Sequence, residues 1–311
     1  MRVKSNNRKY LFAIGVLIAL FSLIATGFGI LSDFGQGSFQ YESIRGQTVE
    51  IYGIGIYGHM SSDVAIQGIA QDFITLFIAL PLLILSLIGI SRARPEALFL
   101  LAGTIGYFFV TYLFYTAMGM YNILFLIYVS LLGLSFFGLY LSVSDLFQIK
   151  RLKTSVVSIP YNWVGWFLIV NSVLIAVLWL NIIIPPLVDG TIYPRELQHY
   201  TTLIVQGFDL GLLLPTCFVS GLLFLKKTLQ GLIYGTIYIV FLAILMSALS
   251  AKIIAMGLNG VNIFPVVFII PTINFITIYT AIRLLKSLGF RAGRTGGIAY
   301  AGGSDPFCGC R

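Results

Sequence analysis

Between residues 10 and 285 the chain returns eight times to an apolar run of about 20 residues, each bounded by charge, Pro, Gly or Asn. A helix that crosses about 30 Å of hydrocarbon needs about 20 such residues. The runs fall at 10–31, 71–91, 97–117, 122–144, 163–184, 203–225, 228–249 and 263–285. With 58% hydrophobic and only 10% charged residues, a soluble fold of 311 residues could not hide its apolar surface. The expected fold is an all-α polytopic membrane protein with a retained first helix. That helix follows a basic stretch but lacks a convincing cleavage site in "ATGFGILSDFG".

Charge orients the spans. Sixteen of the 19 Lys and Arg residues lie on the side of the N-terminus, in groups such as Arg92 and Arg94, Lys150, Arg151 and Lys153, and Lys226 and Lys227. Arg45, Arg195 and Lys252 lie on the other side, with eight of the 11 acidic residues. The positive-inside rule then places both termini in the cytoplasm and the protein in the cytoplasmic membrane. The net charge of +8 is accounted for by this topology, so nucleic acid is not an expected partner. The lipid bilayer is, and a protein partner or homo-oligomer stays open.

Two stretches repeat a theme. "QGIAQDFITLFIALP" (67–81) and "QGFDLGLLLP" (206–215) each run from Gln-Gly through an Asp to a Pro. From Pro81 to Arg92, and from Pro215 to Lys226, there are eleven residues. The Asp-to-Pro spacing differs, nine against six. "GTIGY" follows in the first case and "GTIY" in the second. This predicts two parallel four-helix halves, residues 1–145 and 146–285, related by an axis along the membrane normal. A flexible cytoplasmic tail, 286–311, completes the expected organisation. The outer loop 32–70 is expected to hold a small β-hairpin that turns at Arg45-Gly46-Gln47. Its shorter counterpart is "PPLVDGTIYPRELQHY".

The candidate site residues follow from cost. A carboxylate in hydrocarbon is expensive and usually faces a bundle interior or a wet cavity. Asp72 and Asp209 sit near the outer ends of their runs, where they either line an outward-facing vestibule or mark helix N-termini. Pro81 and Pro215 lie inside their helices and break them, as transport proteins do near a midplane site. Asn274, below Pro265 and Pro271, marks another break or a helix–helix contact. Tyr107, Tyr112, Tyr115, Tyr121 and Tyr128 cluster in the third and fourth spans, where inward-facing rings would line a pocket. Trp163 and Trp166 suit the inner interface.

Other chemistry is not written here. His59 and His199 lie in outer loops without ligand spacing, so no metal is expected. Cys217, Cys308 and Cys310 make no disulfide framework. No nucleotide loop, zinc helix, nucleophile elbow or paired carboxylates at catalytic spacing is present, so neither cofactor nor enzymatic activity is expected.

The stretches "QGFDLGLLLPTCFVSGLLFLKKTLQGLIYG" and "GTIGYFFVTYLFYTAMGMYNILFLIYVSL" resemble a group of uncharacterised multi-span membrane proteins of bacteria and archaea, over about residues 50–250. The resemblance implies topology and carries no activity. Two readings remain. A small-solute transporter or permease would turn Asp72 and Asp209 inward, around a cavity. A non-catalytic membrane component, such as a sensor, assembly factor or partner subunit, would have a filled core and an outer loop packed as a cap.

Overall fold

In a computed structural model of the chain, the described residues are 7–92, 94–149 and 159–294, with side chains described as far as residue 288. Eight helices among them are long and apolar enough to cross a membrane. They are α1 (Arg8–Leu31), α2 (Ser62–Ser91), α3 (Pro95–Ala117), α4 (Phe125–Phe147), α5 (Tyr161–Val188), α6 (Ile204–Leu225), α7 (Leu229–Leu258) and α8 (Val266–Arg294). The protein is therefore an all-α integral membrane protein. The Gly-rich stretch from residue 295 lies outside the described residues.

Two helices overrun the apolar windows. Helix α2 starts at Ser62, nine residues ahead of its window, and α7 ends at Leu258, nine residues past its own. Polar residues are no obstacle to a helix that packs against protein rather than lipid. The overrun of α7 carries Lys252 into the helix instead of a loop.

Helices α3 and α7 form the centre. Helix α3 is the most buried of the eight. It packs against α2, α4, α7 and α8, while α7 packs against α2, α3, α6 and α8. Gly103 makes their crossing close. A Cβ there would lie 3.0 Å from the Ile237 carbonyl oxygen and overlap the Val240 side chain. Small residues give membrane helices this proximity, since the gain between them is van der Waals packing. Helix α1 flanks α2 and α4, and α5 flanks α6.

The segment between α1 and α2 holds the expected hairpin, β1 (Phe39–Glu42) and β2 (Thr48–Ile51). It pairs antiparallel, with Glu42 opposite Thr48 across the Arg45-Gly46 turn. A 3₁₀ turn, Gly55–Tyr57, follows and plants Tyr57 in the core. The segment between α5 and α6 meets it. Arg45 donates to the carbonyls of Gln198 and Thr201, each at 3.4 Å, and Gln47 Nε2 to that of Arg195 at 3.1 Å. His199 Nε2 is 3.2 Å from the His59 carbonyl oxygen, and the Ser61 amide donates to the Tyr200 hydroxyl at 3.4 Å. The two long loops thus form one cover over one end of the bundle.

Candidate functional site

Both broken helices break in one way. In α2 residues Thr75–Ala79 form a π-helical turn, and Leu80–Ser91 resume as α-helix. In α6 the π turn is Asp209–Leu213, and the α-helix resumes over Leu214–Leu225. The Leu80 amide donates to the Thr75 carbonyl, and the Leu214 amide to that of Asp209, five residues back in each case. Pro81 and Pro215 are the cause. A helical proline offers no N–H, and its ring collides with the carbonyl four residues earlier. Widening the preceding turn relieves the collision.

One shift of 134 residues carries Thr75–Ala79 onto Asp209–Leu213, Leu80–Ser91 onto Leu214–Leu225, and the start of α3 at Pro95 onto that of α7 at Leu229. Under that shift Pro81 meets Pro215, but Asp72 meets Gln206 and Asp209 meets Thr75. The backbone breaks are equivalent, and the two acids are offset by three residues. The shared Gln-Gly that heads each stretch belongs to a different register, as does the pairing of "GTIGY" with "GTIY".

Asp72 is 1% exposed. It is the eleventh residue of α2, about 15 Å beyond the helix start at about 1.5 Å per residue. The helix dipole acts within about the first turn, so it does not hold this carboxylate. Hydroxyls do. Tyr57 donates to Asp72 Oδ2 at 2.5 Å and Tyr115 to Oδ1 at 3.0 Å. These two donors satisfy both oxygens of a group that would be expensive to bury unpaired at this depth. On the α1 side Gly29 lies so close that any Cβ would overlap Asp72 Oδ2.

The polar layer continues below. Gln71 Nε2 donates to the Tyr107 hydroxyl at 2.9 Å and to Thr111 Oγ1 at 3.0 Å, and Tyr107 lies 2.8 Å from Thr75 Oγ1. The rings of Tyr112, Tyr115 and Tyr128 pack on one another with centroids 5.4–6.0 Å apart. The inward-facing tyrosines of α3 and α4 therefore surround Asp72, while Tyr121 is exposed.

Asp209 is half-buried and has a different partner. Trp179 of α5 donates from Nε1 to Asp209 Oδ2 at 2.8 Å. Below it the Tyr238 hydroxyl of α7 donates to the carbonyl of Leu213 at 3.0 Å. In each case a tyrosine of a central helix thus bonds the π turn of the helix before it. Asn274 sits elsewhere, on α8, where its Oδ1 lies 3.3 Å from Ser247 Oγ of α7, a contact between helices.

Lys252 lies half-buried on α7. The hydropathy windows had set it among the loop charges of one face. The legible signal was the helix-compatible run "SALSAKIIAMGL", which meets no stop before Asn259-Gly260. No group of three or more His, Cys, Asp or Glu suited to a metal occurs among the described residues. Compared with known proteins, the chain matches no family profile, no curated protein and no solved structure.

Proposed function

We propose that the protein is a carrier or permease for a small solute, with its binding site at Asp72 and Asp209 beside the two π turns. The observation that carries this reading is an acid beside a proline-broken π turn in each of two helices, Asp72 three residues ahead of Thr75–Ala79 and Asp209 heading Asp209–Leu213. Ionisable groups inside a bundle are costly, and acids placed at two broken helices suit a solute pathway. The π turns supply the second requirement. A turn held by a five-residue loop next to a proline has fewer alternative bonds to lose, so it is a natural hinge. The cover of interlocked loops, on the face predicted to look outward, would be the gate.

Reconstitution tests this. Proteoliposomes loaded with a panel of labelled solutes should show saturable counterflow, and Asp72→Asn with Asp209→Asn should abolish it while the protein still elutes as a folded species. A second reading has its own support, because Asp72 is 1% exposed and covered by Tyr57 from the loop. A non-catalytic membrane component would keep that cap shut. Flux no greater than in empty liposomes across the whole panel would favour it.

A further inference from the structure

We infer that Asp72 is a proton-binding site, whose carboxyl loads and releases one proton by re-pairing with the hydroxyls of Tyr57 and Tyr115. That the proton is the ion coupled to solute movement rests on the carrier reading; the binding itself does not. Three observations carry it. First, no cation neutralises this acid. Asp72 is 1% exposed, and among the described residues its oxygens meet two hydroxyls and form no ion pair. Titratable groups reach it from each side. Tyr57 comes from the 3₁₀ turn, Tyr107, Tyr112 and Tyr115 from α3, and Tyr128 from α4. Helix α1 offers only Gly29 at this level. Helix α7, also packed on α2, carries Lys252 as its one charged residue, and Lys252 forms no ion pair with Asp72. A charge buried without a cation is costly, and a proton relieves that cost.

Second, both hydroxyls have a second acceptor within reach. Tyr115 lies 3.1 Å from the Gly68 carbonyl as well as 3.0 Å from Oδ1, and Tyr57 lies 3.2 Å from the Tyr115 oxygen as well as 2.5 Å from Oδ2. A hydroxyl has one hydrogen to give and two lone pairs to accept with. With the acid charged, Tyr57 donates to Oδ2 and Tyr115 to Oδ1. A proton from water that settles on Oδ1 reverses the second bond. Oδ1–H then donates to the Tyr115 oxygen, and Tyr115 turns its own hydrogen to the Gly68 carbonyl. Tyr57 goes on donating to Oδ2. One O–H bond has formed on Asp72, one hydroxyl has rotated, and every oxygen of the carboxyl is paired in both states. Release is the reverse.

Third, polar groups continue away from Asp72 along one face of α3. Tyr107, Thr111 and Tyr115 follow at intervals of four residues, over about 12 Å of helix. Gln71 bonds the first two, and in the contact of Tyr107 with Thr75 either oxygen can donate. The Tyr112 hydroxyl, on a residue 0% exposed, has no partner among the described residues, and its ring packs 5.7 Å from that of Tyr115. A buried hydroxyl left unpaired calls for water, the carrier of protons. On the opposite side Tyr57 belongs to the loop cover, so the acid stands between that cover and the π turn Thr75–Ala79.

Infrared difference spectroscopy of the full chain in lipid reads the proton directly, as pH is stepped between about 5 and 9. A carbonyl band of a protonated carboxyl should grow reversibly as pH falls and shift in heavy water. Asp72→Asn should remove that band, and Asp209→Asn should leave it. Tyr115→Phe should displace it, because the proton on Oδ1 loses its acceptor. This arm also decides the matter if Asp72→Asn does not fold, since it removes a single hydroxyl. No titrating band, a band that survives Asp72→Asn, or one unmoved by Tyr115→Phe would overturn the inference. Coupling is read in proteoliposomes holding a trapped pH dye. Net entry of a solute that passes the counterflow screen should change the internal pH, and Asp72→Asn should lose that change. Counterflow with no pH change would end the coupling and leave the carrier reading intact. A titrating band without counterflow of any solute would instead sink the carrier reading, and the coupling with it, while the proton site stands.

Discussion

The π turns of α2 and α6 have one backbone and two environments. Each spans five residues and is followed by a twelve-residue α segment with proline in second place. In α2 the turn is braced by side chains, Thr75 to Tyr107 to Gln71, and Asp72 is enclosed by two tyrosines and Gly29. In α6 the turn is tied through a backbone carbonyl, Asp209 has one tryptophan, and Gly211 and Leu212 are exposed. The first acid is locked and the second is accessible. Proline sets the shape of the break, whereas side chains from other helices decide how freely it moves.

The comparison breaks most sharply at the helices that flank the two turns, α1 and α5. Gly29→Leu would drive a side chain into the Asp72 carboxylate. Overpacking costs about 1–3 kcal/mol, and leaving the buried Asp72 group unsatisfied adds about 1–3 kcal/mol. Folded protein should be lost, as read by monodisperse elution in detergent. Trp179→Leu, on the other side, should elute normally.

Next in size are the acids. Asp72→Ala removes the shared acceptor of two hydroxyls, leaving Tyr57 with Tyr115 and Tyr115 with the Gly68 carbonyl, and should cost about 2–4 kcal/mol, against about 1–2 kcal/mol for Asp209→Ala with one donor. Thermal unfolding midpoints in one detergent would rank the pair, and equal losses would contradict a locked first acid. Smaller again are the bracing tyrosines. Tyr107→Phe removes partners of both Gln71 and Thr75 and should cost about 1–3 kcal/mol. Tyr238→Phe frees one carbonyl and should cost about 1 kcal/mol.

The smallest effect concerns the cover. Burial holds the His199 ring below the ordinary histidine value, opposed by its bond to the His59 carbonyl. The ring packs on Tyr41 and Tyr200, and its Nδ1 is buried without a partner among the described residues. Since the folded value is the lower one, the open loop takes up the proton first as pH falls. The contribution of His199 to closure is complete above about pH 6.5 and is lost as pH drops below it. Amide protection factors at residues 195–201 should fall between pH 7.5 and 5.5, and His199→Phe should flatten the change.

Much of the bundle was legible because apolar length, proline and charge bias are properties of single segments. Pro81 and Pro215 announced the breaks, though the form of the break, a π turn, is the backbone's response to each ring. The hairpin turn at Arg45-Gly46 was legible for the same local reason. Lys252 was legible only through a helix-compatible run without a stop, since a lysine at the end of an apolar run reads as a loop charge until packing extends the helix. The equivalence suggested by the two Gln-Gly stretches also misled, because a two-letter match has no register without the backbone beneath it.

By itself, then, the chain's sequence determined eight spans, two broken helices and a hairpin between the first two helices, all set by hydropathy, backbone chemistry and turn residues close together in the chain. Only the tertiary structure decided that Asp72 meets Tyr57 and Tyr115, that Asp209 meets Trp179, and that Lys252 lies within α7. The side-chain meetings join residues 15 to 43 apart in the chain. They depend on helix packing angles and on Gly29 and Gly103 admitting close approach, which no local pattern encodes.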